Sequence, residues 1–576
     1  MINMLTKYYR KILDEWFDGK GRKFVDFAIL EIEKNWNDKN IFVIEAPTGY
    51  GKSTISATIA LYSSNEELKS IIAFPLRTLL EDQFNKFKRL VNEDVLGKRY
   101  MHNPDSRYLI KPISLTTIDT LALTLFGIPP EDLDKVVKYW SGTSSGSLGH
   151  YLFSWMSVAL SNIVLDEVHL LADSTKSLNF LLALMKIAIN NDQKLVLMSA
   201  TIPKALEEVL KKGLAPQTDK LHFIKFESRY DEKFVEERTA KKYSIVLNAF
   251  KEETKFDKIV EFIEEETEKY SKVIVVFNTV NDAIEFYRKV KNKFNDFDKV
   301  LLHSRFNEDD RERKIEKLRN LGEKYIIVST QVIEAGVDIS SNLFITELAP
   351  ANSLIQRLGR FLRYDGEKEG KIYIWYEVDD SGNLKSYNGK YEVYDFDLSN
   401  RTLKKLREIK DEFNVHVAES YGRLLDVYSS EDFKVNERDV HDFIRILLNL
   451  ESGSLQAVRK FFELEGSFVR EGLIIPVISS DILEKIGDGN EISIEVKKLV
   501  KLVVPVSFDV IKKVKPKERI VLSRDKETGD EKLKIEKIED FVLPASRDFL
   551  NYLIRNSVIA LIVDGNYDAE LGLVLK

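Results

Sequence analysis

The chain has 576 residues, of which 44% are hydrophobic and 31% charged, and a formal net charge of −7. That balance excludes wholesale disorder, and the absence of cysteine excludes disulfides and thiolate metal sites. No apolar run reaches the roughly 20 residues of a membrane span, the opening MINMLTKYYRK lacks the apolar core of a signal peptide, and net acidity confines any nucleic-acid contact to a local groove.

In chain order, IFVIEA (41–46), SIIAFPL (70–76), NIVLDE (162–167) and KLVLMSA (194–200) read as strands. Each is a continuous Ile/Val/Leu run, as strands covered on both faces of a parallel sheet must be. FLLALMKIAI (180–189) reads as a buried helix and SGTSSGSLG (141–149) as a flexible insertion. A second series follows: KVIVVFN (272–278), KVLLHS (299–304), KYIIVST (324–330), LFITELA (343–349) and KIYIWYE (371–377). Amphipathic segments such as FDKIVEFIEEETEKY (256–270) lie between them, the acids forming a solvated helix face. This alternation predicts an α/β fold of two tandem doubly wound parallel-sheet domains, residues 1–235 and 236–385, with the boundary in the charged stretch near 226–245. After about 385 the rhythm is lost, and residues 386–576 are expected to form a mixed α+β accessory region that includes a strand at VIALIV (558–563). Abundant Lys, Glu and Ile with scarce Gln fits a thermophile, and the whole fits a cytoplasmic protein without a membrane partner.

The first strand runs into EAPTGYGKST (45–54). Gly49 and Gly51 permit the positive φ and close backbone approach of a phosphate-wrapping loop, and the following helix N-terminus stabilises phosphates with its N–H groups and dipole. Ala46, Pro47, Thr48, Gly49, Tyr50, Gly51, Lys52, Ser53 and Thr54 would form that loop, with Ala46 where the usual pattern opens on Gly. Lys52 would reach the β- and γ-phosphates, and Ser53 would place its hydroxyl on Mg²⁺. Two adjacent carboxylates follow the third strand in SNIVLDEVHLLAD (161–173). A Mg²⁺ on a triphosphate needs a hard oxygen partner, which Asp166 supplies, while Glu167 orients the attacking water. Strand neighbours point different ways, so one carboxylate cannot do both jobs. His169 alone would be a core or capping histidine; within a D-E-x-H box it links the nucleotide to moving parts.

With Ser-Ala-Thr at 199–201, these motifs resemble the superfamily 2 helicases and translocases of the DExH-box type over roughly residues 20–380. The resemblance implies two RecA-like domains, ATP and Mg²⁺ as cofactors, and coupling of hydrolysis to domain movement through Ser199 and Thr201. STQVIEAGVDIS (329–340) and IQRLGRFLR (355–363) look like the family's fifth and sixth motifs. By that resemblance Gln356 touches the γ-phosphate, Gly336 and Asp338 lie near the nucleotide sugar, and Thr330 contacts a nucleic-acid phosphate. Arg360 and Arg363 are expected as arginine fingers on one helix face with Gln356, neutralising γ-phosphate charge only when the cleft closes. FPLRTLLEDQ (74–83) and SLTTIDTLA (114–122) look like strand-binding motifs, with Arg77, Thr116 and Thr117 as candidates. NTV (278–280) and HSRF (303–306) hold the matching places in the second domain, with Asn278, Ser304 and Arg305. Such contacts grip phosphate and sugar without reading sequence, and a capping or surface role competes for Arg77 and each Thr.

LLHSRF, TQVIEAGVDIS, QRLGRFLR and DEVHLLAD together are most similar to the CRISPR-associated type I helicase. That implies a single-stranded-DNA motor, 3′ to 5′, acting with a guide-RNA surveillance complex. The family usually carries a fused HD nuclease. Here the P-loop begins at residue 46 and neither His441-Asp442 nor His416 offers a ligand cluster, so the expectation is the split form, with no intrinsic nuclease and a separately encoded HD-type nuclease as partner. GRKFVDFAILEIEK (21–34) lacks the glutamine that reads adenine in many superfamily 2 members, leaving Phe24 to stack on the base. The basic stretch IKKVKPKERIVLSRDK (511–526) reads as a solvated hairpin ahead of a DNA-binding ribbon. Two alternatives stay open: an RNA or DNA-repair helicase on the same frame, and an ATP-gated adaptor that bridges a surveillance complex and a nuclease.

Overall fold

The computed structural model describes residues 4–575 apart from 101–104, 141–151, 386–392, 449, 489–490, 493, 525–530 and 539–545; the insertion 141–149 lies outside the described residues. A first sheet holds seven parallel strands: β1 Ile41–Glu45, β2 Lys69–Phe74, β3 Leu96–Arg99, β4 Ile113–Thr117, β5 Ser161–Leu165, β6 Leu195–Ser199 and β7 Leu221–Lys225. Their order is β3-β4-β2-β5-β6-β1-β7. The four expected strands are all present, and every residue of β5 and β6 is buried because helices cover both faces.

The second sheet has six parallel strands: β8 Lys242–Phe250, β9 Lys272–Val276, β10 Asp298–Leu302, β11 Tyr325–Ser329, β12 Leu343–Glu347 and β13 Glu369–Glu377, in the order β10-β11-β9-β12-β13-β8. β8 falls partly in the stretch expected to be a linker. It is an edge strand whose residues are mostly half-buried or exposed, so it mixes polar and apolar side chains. The 235/236 boundary lies inside the helix Glu232–Thr239.

The C-terminal region is mixed α+β, as expected. Helices lead into a seven-stranded sheet of β14 Ile474–Ser479, β15 Gly487–Asp488, β16 Glu491–Ile492, β17 Val504–Ser507, β18 Glu518–Arg524, β19 Glu531–Lys537 and β20 Val558–Val563. A two-stranded hairpin follows, β21 Gly565–Asp568 and β22 Gly572–Leu575. The basic stretch 511–526 divides between the end of the helix Phe508–Val514 and β18, which pairs antiparallel with β19, and its last two residues lie outside the described residues. One buried apolar cluster runs from Ile41 through Phe126, Phe443 and Phe468 to Leu573, so the first sheet and the C-terminal region share a core. Phe126 stacks on Phe468 at 3.9 Å within it. The two faces of the second sheet are separate clusters. Among the described residues no helix is long and apolar enough to cross a membrane.

Candidate nucleotide site between the lobes

In a parallel sheet the loops after the strands gather at one edge. β5, β6 and β1 are neighbours, so the P-loop, the paired carboxylates and the Ser-Ala-Thr segment converge. Gly51 caps the helix Lys52–Glu66 at φ 100, a left-handed conformation that glycine adopts without penalty. Lys52 Nζ donates to the Ala46 carbonyl at 3.2 Å and lies 3.9 Å from Glu167 Oε1. Tyr50 supports the loop from behind: its buried ring carries a hydroxyl that donates to Asp231 at 2.5 Å and accepts from the Phe24 amide at 3.2 Å. Phe24 has no exposed surface and packs against Tyr50, Phe226 and Tyr230, so it cannot stack on a base. Arg22 belongs to no motif in the sequence, yet it supports the loop. Its Nη1 donates to the Gly49 carbonyl at 2.8 Å, and its guanidinium lies 5.2 Å from the centre of the Tyr50 ring.

Glu167 sits at φ 51, a left-handed conformation uncommon for this residue type, with its amide donating to Asp166 Oδ1 at 3.0 Å. Burial, then the charge of Glu167, pushes Asp166 up to about 7. Burial alone would raise Glu167 as well, but Lys52 first, then His169, Arg360 and Arg363, hold it below its ordinary value. Glu167 Oε2 is buried without a hydrogen-bond partner; His169 Nδ1 is 3.4 Å away but engages Ser199 Oγ at 3.0 Å. A raised buried carboxyl beside an unbonded carboxylate oxygen fits a divalent cation. Asp166 and Ser53 would hold Mg²⁺ there. Among the described residues no group of three or more His, Asp or Glu could hold a metal by itself, so a cation at Asp166 and Ser53 would take its remaining ligands from phosphate oxygens or water.

His169 lies behind the cavity, kept neutral by burial, which brings it down to about 4. It begins a relay. Ser199 Oγ donates to the Thr201 carbonyl at 2.9 Å and accepts from the Thr201 amide at 3.1 Å, and Thr201 Oγ1 accepts from Gln356 Nε2 at 3.4 Å. Gln356 was expected on the γ-phosphate; here its amide is used on Thr201, which ties the second lobe to the first. A second tie follows the DEVH box: Asp173 accepts from Asn352 Nδ2 at 2.8 Å, and burial, then Glu334, pushes this carboxyl up to about 7.

The helix Ala351–Leu358 ends before Gly359, so Arg360 and Arg363 occupy the following turn rather than the expected helix face. Arg360 Nε and Nη2 donate to the carbonyls of Ile333 and Glu334 at 3.0 and 2.9 Å, and Arg363 Nε donates to Asp338 at 2.9 Å. Burial, then Arg363, lowers Arg360 to about 9, leaving it charged at neutral pH. The lobes approach at two glycines. A Cβ on Gly359 would stand 3.2 Å from Thr48 Oγ1, and one on Gly336 (φ +80) only 2.2 Å from Thr78 Oγ1. Between the lobes lies a cavity of about 480 Å³, lined by Thr48–Thr54, Asp166 and Glu167 on one side and by Ala335–Asp338, Arg360 and Arg363 on the other. Arg357, also unrecognised in the sequence, is fully buried. It donates to Glu334 Oε1 at 2.9 Å, the Glu347 carbonyl at 3.0 Å, Asn278 Oδ1 at 2.9 Å and the Tyr394 hydroxyl at 2.9 Å.

The expected nucleic-acid contacts divide. Thr116 is fully buried with its hydroxyl donating to the Arg99 carbonyl at 2.6 Å, and Thr117 caps the helix Ile118–Leu125. Thr330 is buried, and Asn278 spends its amide on Leu348 and Arg357. The Thr116 and Thr117 hydroxyls and the Asn278 amide thus serve the fold's own strand tips and helix start. Arg77 reaches across the cleft to Glu308 at 2.5 Å and Glu312 at 3.0 Å and stacks on Tyr100 at 4.4 Å. Ser304 is exposed and Arg305 half-exposed on the loop after β10. His441 is exposed on the helix Glu437–Leu448, and His416 stacks on Phe361.

Residues 28–209 match the DEAD/DEAH box helicase model, and residues 269–366 match that of the CRISPR-associated nuclease/helicase Cas3, C-terminal. Both regions are similar to those of the Cas3-type superfamily 2 helicases. It is 28% identical over 354 residues to the CRISPR-associated helicase Cas3 of Thermoproteus tenax, covering 58% of this chain and 56% of the relative. It is 27% identical over 351 residues to the CRISPR-associated nuclease/helicase Cas3 of Methanothermobacter thermautotrophicus, covering 56% and 38%. The chain spans about half the length of the curated relatives it matches. The structure of T. fusca Cas3-AMPPNP shares the fold at TM-score 0.67 and 15% identity, over 99% of this chain and 71% of that one.

Proposed function

We propose that this Cas3-like helicase is an ATP-dependent single-stranded-DNA translocase that moves 3′ to 5′ and unwinds target DNA in CRISPR type I interference. Its partners in this reading are a guide-RNA surveillance complex and a separately encoded HD-type nuclease, and its parts are residues 1–235, 236–385 and 386–576. The observation that carries it is the cavity between the lobes, to which Lys52, Asp166 and Glu167 contribute from one side and Gly336, Arg360 and Arg363 from the other. Bound Mg²⁺ would neutralise phosphate charge. Lys52 and the P-loop amides hold the phosphates, while Glu167, kept ionised by the surrounding cations, orients the attacking water and takes its proton. Arg360 arrives preorganised by two backbone carbonyls, so little reorganisation opposes its stabilisation of the developing charge. The His169–Ser199–Thr201–Gln356 relay conveys the nucleotide state to the second lobe, and the loops on both lobes alternate their hold on the strand.

A chain of the same fold occurs in an RNA-guided CRISPR surveillance complex, pre-nicking, at TM-score 0.61 and 16% identity, over 98% of this chain and 71% of that one. That favours the partner assignment. An adaptor without hydrolysis would not need Glu167 and both arginines. The test is ATPase activity with and without single-stranded DNA: stimulation is expected, with loss in Lys52→Ala and Asp166→Ala. Hydrolysis that survives both changes would overturn the reading, and stronger stimulation by matched RNA strands would assign the chain to RNA instead.

A further inference from the structure

The loop His303–Phe306 turns Ser304 and Arg305 outward, and a different domain supports its inner side. Leu573 of β22 donates its amide to the Arg305 carbonyl at 2.9 Å. His303 Nε2 donates to the Leu571 carbonyl at 3.0 Å, while its Nδ1 accepts from the Arg305 amide at 3.1 Å, so both ring nitrogens are committed. The Tyr567 hydroxyl accepts from the Asn307 amide at 3.1 Å and donates to Asp310 at 2.7 Å. Lys314 Nζ donates to the Glu570 carbonyl at 2.9 Å. Gly572 lies at φ +72, and a Cβ there would come within 2.6 Å of the Arg305 carbonyl and 2.8 Å of the His303 ring. No other residue type fits without pushing the loop away.

The hairpin is rooted elsewhere. The Tyr567 amide donates to Asp481 at 3.1 Å, on the helix Ser480–Ile486 of the C-terminal region. Leu573 belongs to the core shared with the first sheet, whereas Leu571 and Val574 pack against a core of the second. Surface loops are mobile unless something holds them, and a loop that grips a strand loses affinity when displaced by an ångström.

We propose that the hairpin β21–β22 is a clamp that sets the strand-gripping loop His303–Phe306, with Tyr567 and Gly572 as positioning residues for nucleic-acid engagement. This rests on the assignment of Ser304 and Arg305 as backbone contacts. The experiment uses the full chain and a single-stranded oligothymidylate, measuring basal ATPase, the KM for ATP and the half-stimulating DNA concentration. Tyr567→Phe keeps the ring and is expected to raise the half-stimulating concentration roughly fivefold, the worth of a lost hydrogen bond. Gly572→Val is expected to raise it more than tenfold, from left-handed strain plus steric displacement. Basal ATPase and the KM for ATP should stay unchanged in both. Arg305→Ala is run in parallel. If it weakens DNA stimulation while Tyr567→Phe does not, the clamp is overturned and the loop assignment stands. If Arg305→Ala changes nothing, the loop assignment itself fails. A Tyr567→Phe chain that loses basal ATPase as much as DNA response would reduce the hairpin to a general stability element and also overturn the clamp.

Discussion

Consider Gly336→Ala, a single methyl added where the second lobe meets the first. The backbone there is left-handed at φ +80, which costs a non-glycine residue about 1–2 kcal/mol. The new Cβ would stand 2.2 Å from Thr78 Oγ1, well inside van der Waals contact. Either Thr78, stiff at its branched Cβ, must change rotamer, or the lobes must part; overpacking of this kind costs about 1–3 kcal/mol. Together these oppose the closed arrangement by roughly 2–5 kcal/mol, or about 30- to 5000-fold at 1.36 kcal/mol per decade. The assay is DNA-stimulated ATPase turnover. In Gly336→Ala/Thr78→Ala the oxygen is gone and the next contact is the Thr78 Cβ at 3.4 Å. The steric share of about 1–3 kcal/mol, or about 5- to 160-fold, should therefore return, leaving the backbone strain. A single variant within threefold of wild type would refute the argument, as would a double variant no better than the single.

Three further outcomes are expected. Arg360→Lys loses the planar fork that spans the Ile333 and Glu334 carbonyls, and turnover should fall by about 100-fold or more while nucleotide binding changes little; titration with a fluorescent ATP analogue separates the two. Glu308→Gln/Glu312→Gln frees Arg77 from its cross-lobe pair, so the half-stimulating DNA concentration should drop a few-fold at low salt and less at high salt. Asp173 titrates near 7 in the fold against about 3.9 unfolded. The stability its neutral carboxyl contributes is full below the lower value and is lost as pH rises through about 7. Asp173→Asn can still accept from Asn352, so its melting temperature should fall less between pH 5 and pH 8 than that of wild type; equal falls would dismiss the shift.

Strands such as β5 and β6 were legible because burial on both faces demands continuous Ile/Val/Leu runs, whereas the interior strand β4, with Ser and two Thr in ISLTT, was not. The edge strands β7 and β8 escaped for the converse reason: they keep one side partly open and carry His222, Lys225, Ser244 and Asn248 among apolar neighbours. The P-loop and the DEVH box were legible because backbone geometry and charge restrict which residues serve there. Thr116 and Asn278 were not, since a hydroxyl or amide at a strand tip can serve a ligand or the chain's own carbonyls, and only the packing decides. Arg22 and Arg357 gain their roles from partners far away in sequence, Gly49 for one and Glu334, Glu347 and Asn278 for the other.

The apolar cluster that joins Phe126 of the first lobe to Phe443 and Phe468 of the C-terminal region has a mechanical consequence. In the proposed motor, the first sheet and the large C-terminal sheet would travel as one anvil, with the second sheet as the jaw that swings against it. Each cycle would then displace the smaller mass, over a stroke bounded by the give in the hairpin fastened to its rim.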